Sequence, residues 1–172
     1  KILAESPPVG TPKKQQAYHA VTAGYILGAI AQKVSGETLP QLLQRIVAQP
    51  LACEHFTFGM AEERRHQAAV SLPTGLDKVP VISKMLHHML GVSDREITSA
   101  INTPAAHEAV IPAANIYASA EEVCRFYQMM LDGGLWQCQR VFETTTSNDA
   151  TRRGKLLFDH SANSPMRYSA GV

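Results

Sequence analysis

A chain of 172 residues, 45% hydrophobic and 18% charged, is long enough for one domain with a core, or for a domain and part of another. Its net charge of +1, with scattered bases, excludes the electrostatic footprint of a nucleic-acid or anionic-membrane binder. Cys53, Cys124 and Cys138 are widely spaced and form neither a disulfide framework nor a zinc motif, and no apolar run approaches the ~20 residues of a membrane span.

From Lys1 to Gln16 the chain reads as a loop, because Pro7, Pro8, Gly10 and Pro12 break helix and strand patterns alike. A helix is expected from about Ala20 to Val34, with Ile26, Ile30 and Val34 on one face. Gly24 and Gly28, four apart and so on one side of that helix, predict close contact with a neighbouring segment. Gly36 serves as its C-cap. Thr38 caps a second helix with Pro40 in its first turn and Leu42, Leu43, Ile46 and Val47 as its apolar stripe, ending at Pro50.

Leu51 to Met60 is expected to be irregular or extended, and Glu62 to Pro80 is polar and then broken by prolines. A third helix is placed at Ile82–Leu90 and a short one at Asp94–Asn102, with Pro104 and Pro112 bracketing a loop. Ser119-Ala-Glu-Glu122 is a capping box, followed by an apolar face of Val123, Phe126, Tyr127, Met130 and Leu131 and stopped by Gly133 and Gly134. Leu135–Phe142 suggests a turn with a short strand, Thr144–Arg153 a helix, and Tyr168–Val172 the start of a strand.

Serine nucleophiles need a positioned base. No serine here lies in a Gly-x-Ser-x-Gly elbow or a Ser-x-x-Lys pair, so the serines read as structural. The histidines have no ligand spacing; adjacent His87 and His88 point about 100° apart on a helix and do not share a metal readily. No cofactor motif is present; Gly133 and Gly134 follow a helix, whereas a dinucleotide loop precedes one. Tyr18, at the junction of a Pro-rich loop and a glycine-bearing helix, reads either as a rigidly placed functional side chain or as an aromatic anchor that starts the helix.

Three segments carry a resemblance. They are Ala17-Tyr-His-Ala20 with Val21-Thr-Ala-Gly24-Tyr-Ile-Leu-Gly28, Gln49-Pro-Leu-Ala-Cys-Glu-His-Phe-Thr-Phe-Gly59, and Ile111-Pro-Ala-Ala-Asn115 continuing through Ser119-Ala-Glu-Glu122 to Gly134. In this order they resemble the serine β-lactamase and penicillin-binding-protein superfamily, in particular the β-lactamase-like family VIII carboxylesterases. The resemblance implies a two-part α+β fold, an antiparallel sheet with flanking helices plus a mostly helical part. This chain, mainly α, is similar to the helical part: residues 1–142 would be the helical insert with the tyrosine, and 143–172 the start of the return to the sheet domain. Ser-x-x-Lys is expected upstream of Lys1, and the closing strand beyond Val172.

By the same resemblance Tyr18 takes the role of the family tyrosine, and His19 is a substrate-binding candidate that either lines the site or faces away from it. A phenol titrates near pH ~10, and a neighbouring lysine cation favours the phenolate or holds the phenol as a proton relay. The pair can take the serine proton during acylation and return it to the leaving group. The family's β-lactamases commonly carry an asparagine two residues after the tyrosine, where this chain has Ala20, which favours esters over β-lactams. The implied activity is a metal-free, cofactor-free serine esterase acting on small esters. Its rivals are a β-lactamase or D-alanyl-D-alanine peptidase, and an inactive binding or structural protein. The expected partner is a small-molecule ester or β-lactam-like substrate, with no nucleic acid and no membrane span. Unpaired thiols and the lack of a signal-like stretch in Lys1–Gly10 lean toward the cytoplasm.

Overall fold

Helix α2 (Thr22–Ser35) packs through its glycines. A methyl group on Gly24 would stand 2.7 Å from Ala113 Cβ and 2.8 Å from Ala113 N, and one on Gly28 2.8 Å from Leu39 Cδ1. The missing side chains therefore let the 111–113 loop and the next helix lie directly against α2, the close contact that the four-residue glycine spacing predicts. Large residues of α2 point elsewhere: Ile26, Leu27, Ile30 and Val34 are all exposed, Val34 at 83%. The computed structural model describes residues 2–7, 16–19, 21–73, 75, 79–80, 83–84, 87 and 91–169.

Before α2 stands one short turn of helix, α1 (Ile2–Glu5), where the prolines suggested only loop; the breakers begin at Pro7, after it has ended. Gly36 ends α2 in the left-handed conformation, φ 74°, donating its N–H to Gln32 O at 2.9 Å. Helix α3 (Leu39–Leu43) starts at Thr38, where Gln41 Oε1 accepts from the Thr38 N–H at 3.0 Å. It continues as a π-helical stretch at Gln44–Ala48. A 3-10 turn covers Glu62–Gln67. The expected helix at Ile82–Leu90 lies largely outside the described residues, although Ser83, Lys84 and His87 are helical.

Helix α4 (Asp94–Ile101) is capped by Ser93, whose hydroxyl accepts from Glu96 N–H at 3.3 Å. Helix α5 (Pro104–Glu108) replaces the loop expected after Pro104: Thr103 Oγ1 accepts from Ala106 N–H at 3.3 Å, and proline fits a first helical turn that has no use for its missing N–H. Helix α6 (Ala120–Leu131) begins at the Ser119 capping box and stops at Gly133 and Gly134. Helix α7 (Thr144–Thr151) follows.

Among the described residues the strands form three antiparallel pairs: β1 (Thr57–Phe58) with β2 (Ile116–Tyr117), β3 (Leu135–Trp136) with β4 (Gln139–Arg140), and β5 (Leu157–Asp159) with β6 (Ser164–Met166). The last hairpin was not expected. Of the strand suggested at Tyr168–Val172, residues beyond Ser169 lie outside the described ones, and Ser169 forms a single bridge with Arg153.

The core is Val47, Ala48, Leu51, Cys53, Phe56, Met129 and Met130, with Ile46, Phe126, Trp136 and Phe142 packed on it. It joins the end of α3, the 51–56 segment, α6 and the β3–β4 hairpin. Only part of the apolar face expected for α6 enters it. Phe126 and Met130 do, while Val123, Tyr127 and Leu131 are exposed. Val123 and Tyr127 instead line an apolar cavity of about 600 Å³ together with Phe56, Ile116, Phe126 and Phe142. Fully buried Met129 takes the inward position instead, so the buried stripe is rotated from the expected one.

Glu122 fastens this arrangement. Its carboxylate closes the capping box by accepting from Ser119 N–H at 2.8 Å, and also accepts from Glu54 N–H at 2.6 Å and His55 N–H at 2.7 Å. Burial pushes this carboxyl up, but the three N–H donors and the nearby His55 outweigh it and hold it below the usual carboxylate range.

Candidate active site

Tyr18 lies four residues ahead of Thr22, the first residue of α2, on a non-helical stretch at Gln16–His19. What places it comes from the opposite end of the chain. The Tyr18 N–H donates to Ser161 Oγ at 2.7 Å, and the Tyr18 ring stacks on Tyr168, with centroids 5.7 Å apart and planes 14° apart. The residue before the loop is tied to the same hairpin: Gln16 O accepts from His160 N–H at 2.9 Å, and Gln16 forms a parallel bridge with Asp159. Tyr18 stays 45% exposed, so its phenol is accessible while its backbone and ring face are held.

The holding group is Asp159, at 0% exposure. Its Oδ1 accepts from the Ser161 hydroxyl at 2.6 Å, Ser161 N–H at 2.9 Å and Ala162 N–H at 2.7 Å; its Oδ2 accepts from the Tyr168 hydroxyl at 3.1 Å. Burial pushes the Asp159 carboxyl up, but these four donors outweigh it and keep it below the usual carboxylate range. Burial and the bond to Asp159 push the Tyr168 phenol up, so Tyr168 is a neutral donor at neutral pH. The two stacked tyrosines are thus inequivalent: Tyr168 is committed to Asp159, and Tyr18 is not.

His19 is exposed, and its Nδ1 lies 2.8 Å from Ala17 O, a contact within its own loop. Because a carbonyl oxygen only accepts, Nδ1 is the donor in this contact, and Nε2 is not engaged by it. Ala20 lies outside the described residues.

Three of the serines without a base have structural roles: Ser119 and Ser93 cap helices, and Ser161 bridges Asp159 to Tyr18. Of the three free cysteines, Cys53 is buried, and burial pushes its thiol up, the environment of a packing residue and not of a nucleophile. Among the described residues, no three His, Cys, Asp or Glu side chains cluster as metal ligands would, and no helix is long and apolar enough to cross a membrane.

The three segments singled out in the sequence meet in space. The first contacts the third where Gly24 meets Ala113, the second pairs with the third through β1 and β2, and Glu122 of the third binds the backbone of Glu54 and His55 in the second. Asn115 stiffens the loop that Gly24 rests on: its Oδ1 accepts from Ile111 N–H at 2.8 Å, and its Nδ2 donates to Ala109 O at 2.5 Å and Ala106 O at 3.1 Å. The helix following Tyr18 is thereby seated on a rigid support. Sequence reasoning missed Asp159, Ser161 and Tyr168. The one available signal was the Asp159-His-Ser161 spacing, in which an aspartate can accept from the backbone two residues on.

Comparison with known proteins agrees with this organisation. The chain is 25% identical over 169 residues to the "Esterase/beta-lactamase LipL" of Mycobacterium tuberculosis (strain ATCC 25618 / H37Rv), an alignment covering 91% of this chain and 39% of that protein. Its fold is similar to that of a family VIII carboxylesterase crystal structure, with TM-score 0.73, 24% identity, and coverage of 98% of this chain and 45% of the other. It is equally similar in fold to a penicillin-binding protein homologue from Caulobacter crescentus, with TM-score 0.73, 22% identity, and coverage of 98% and 45%. The chain therefore spans less than half the length of these relatives, and it is a mainly helical portion of the α+β fold they share. Residues 1–165 match the protein family described as Beta-lactamase, and the chain belongs to that family.

Proposed function

We propose that this chain is the tyrosine-bearing portion of a longer serine hydrolase, and that the whole protein is an esterase working through an acyl-serine intermediate on small esters. Residues 1–142 are the helical insert and 143–172 the return toward the sheet domain. The observation that carries the reading is Tyr18 itself: an accessible phenol held by backbone and ring, just ahead of a helix seated on two other family-like segments. In this reading a Ser-x-x-Lys pair outside the chain supplies the nucleophile and a cation. Tyr18 relays the proton from serine to the leaving alcohol during acylation, and from the attacking water to the departing serine oxygen during deacylation, which releases the acid and restores the serine hydroxyl. His19, exposed beside Tyr18 and held through Nδ1 to Ala17 O, stands at the edge of the substrate site as a binding residue.

Two observations support a partner part of the fold. Ile26, Leu27, Ile30 and Val34 form an exposed apolar row on α2, and the cavity lined by Val123, Phe126 and Tyr127 is open. Apolar surface of this extent is ordinarily covered. Ester over β-lactam is favoured by Ala20, which has no side-chain amide for a substrate amide.

The test is incubation of the full-length protein with a chromogenic short-chain ester, a chromogenic cephalosporin and a fluorophosphonate probe. The expected result is ester turnover well above cephalosporin turnover, with one serine labelled, outside this chain. Labelling of any serine within the chain would overturn the assignment, and no labelling anywhere would favour an inactive binding protein.

A further inference from the structure

We propose that Asp159, acting through Ser161 and Tyr168, is the positioning residue for Tyr18; the inference rests on the reading of Tyr18 as the proton-transfer residue. A single shielded carboxylate reaches Tyr18 by two routes. Through Oδ1 it binds the Ser161 hydroxyl, whose oxygen accepts the Tyr18 N–H and so sets the backbone. Through Oδ2 it binds the Tyr168 hydroxyl, whose ring stacks on the phenol and sets its plane.

An ordinary Asx turn accounts for only half of this. It explains the Oδ1 bonds to Ser161 N–H and Ala162 N–H. It explains neither Oδ2 on Tyr168 nor a serine hydroxyl used as an acceptor for a residue 143 positions away. Asp159 is itself unsuited to proton transfer, since it is shielded from solvent and both oxygens are engaged. The Ser161 hydroxyl is likewise engaged on both sides: it donates to Asp159 Oδ1 at 2.6 Å, lies 3.2 Å from Tyr18 O, and accepts from the Tyr18 N–H at 2.7 Å. What remains for the group is to fix where the phenol stands. Proton relays depend on such placement, and an error of about 1 Å costs on the order of 10²-fold in rate.

The test uses the full-length protein and turnover of p-nitrophenyl acetate, with thermal midpoints recorded alongside. Ser161→Ala is expected to lower kcat roughly 10- to 100-fold with KM within about 3-fold, and Ser161→Thr, which keeps the hydroxyl, to restore most of it. Tyr168→Phe keeps the stacked ring, loses only the bond to Asp159, and gives a smaller loss of the same kind. The deciding comparison is the double variant. If Ser161 acts through Tyr18, adding Ser161→Ala to Tyr18→Phe costs less than about 2-fold. Losses that multiply in the double variant, or a Ser161→Ala protein with near wild-type kcat beside a crippled Tyr18→Phe, overturn the positioning role while leaving that of Tyr18 intact. A silent Tyr18→Phe overturns both.

Discussion

Replacing Glu122 by alanine removes the one acceptor shared by three backbone N–H groups, on Glu54, His55 and Ser119, at 2.6–2.8 Å. The carboxylate is only 4% exposed, so water does not readily take its place. An orphaned buried donor costs about 1–3 kcal/mol, and the Glu54–His55 turn is partly open to solvent, so the expected loss is about 3–5 kcal/mol. That is a large share of the 5–15 kcal/mol typical of a domain. Glutamine, which capping boxes ordinarily tolerate, should also be costly here. Its single carbonyl can serve either Ser119 or the Glu54–His55 pair, and its NH₂ faces the other. Urea unfolding followed by circular dichroism measures both variants. A loss below about 1 kcal/mol for Glu122→Ala would refute the view that this carboxylate joins α6 to the 54–55 turn. The pH dependence has a fixed sign. The folded carboxyl titrates below its unfolded value of ~4.3, so its contribution is complete above that pH and fades as pH falls through the folded value. The gap between wild type and Glu122→Gln should therefore close on acidification below about pH 4.

Gly24→Leu should destabilise by more than about 2 kcal/mol, because even a methyl group there meets the backbone of Ala113, and thermal denaturation would register it. Asp159→Asn should weaken the β5–β6 hairpin with the same acid dependence as Glu122, since its carboxyl is likewise depressed; amide hydrogen exchange across 157–166 reads the effect. Thiol titration of fresh denatured, unreduced protein should find three free groups.

Local chemistry made the helices legible. Ser119-Ala-Glu-Glu122 and Thr38 mark starts, Gly36 and Gly133 mark stops, and the spacing of Gly24 and Gly28 foretold a close approach. Prolines misled where they were read only as breakers: Pro104 opens a helix behind Thr103. The surroundings of Tyr18 were hidden for a different reason. The residues that hold it are more than 140 positions away: Asp159 ends a three-residue strand, Ser161 lies in the turn after it, which has no glycine and in which Asn163 takes the positive φ of 49°, and Tyr168 follows a second three-residue strand. Periodicity carries no signal over so short a strand, and nothing local in Asp159-His-Ser161 says which backbone its hydroxyl will meet. Glu122 was read as a cap and is one, but its second task, binding the 54–55 turn, is a tertiary contact that a capping pattern cannot announce.

The most direct measurement is ester turnover by the full-length protein carrying Tyr18→Phe, beside Tyr18→Ala and His19→Ala, with thermal stability recorded for each. Phenylalanine keeps the ring that stacks on Tyr168 and removes only the hydroxyl, so stability should hold while turnover falls roughly 10²–10⁴-fold, the range for losing general acid–base help. His19→Ala should cost far less, since its ring is turned to Ala17 of its own loop. If Tyr18→Phe turns over ester at near the wild-type rate and only Tyr18→Ala fails, through lost stability, then Tyr18 is a packing anchor and the proton-relay account is wrong.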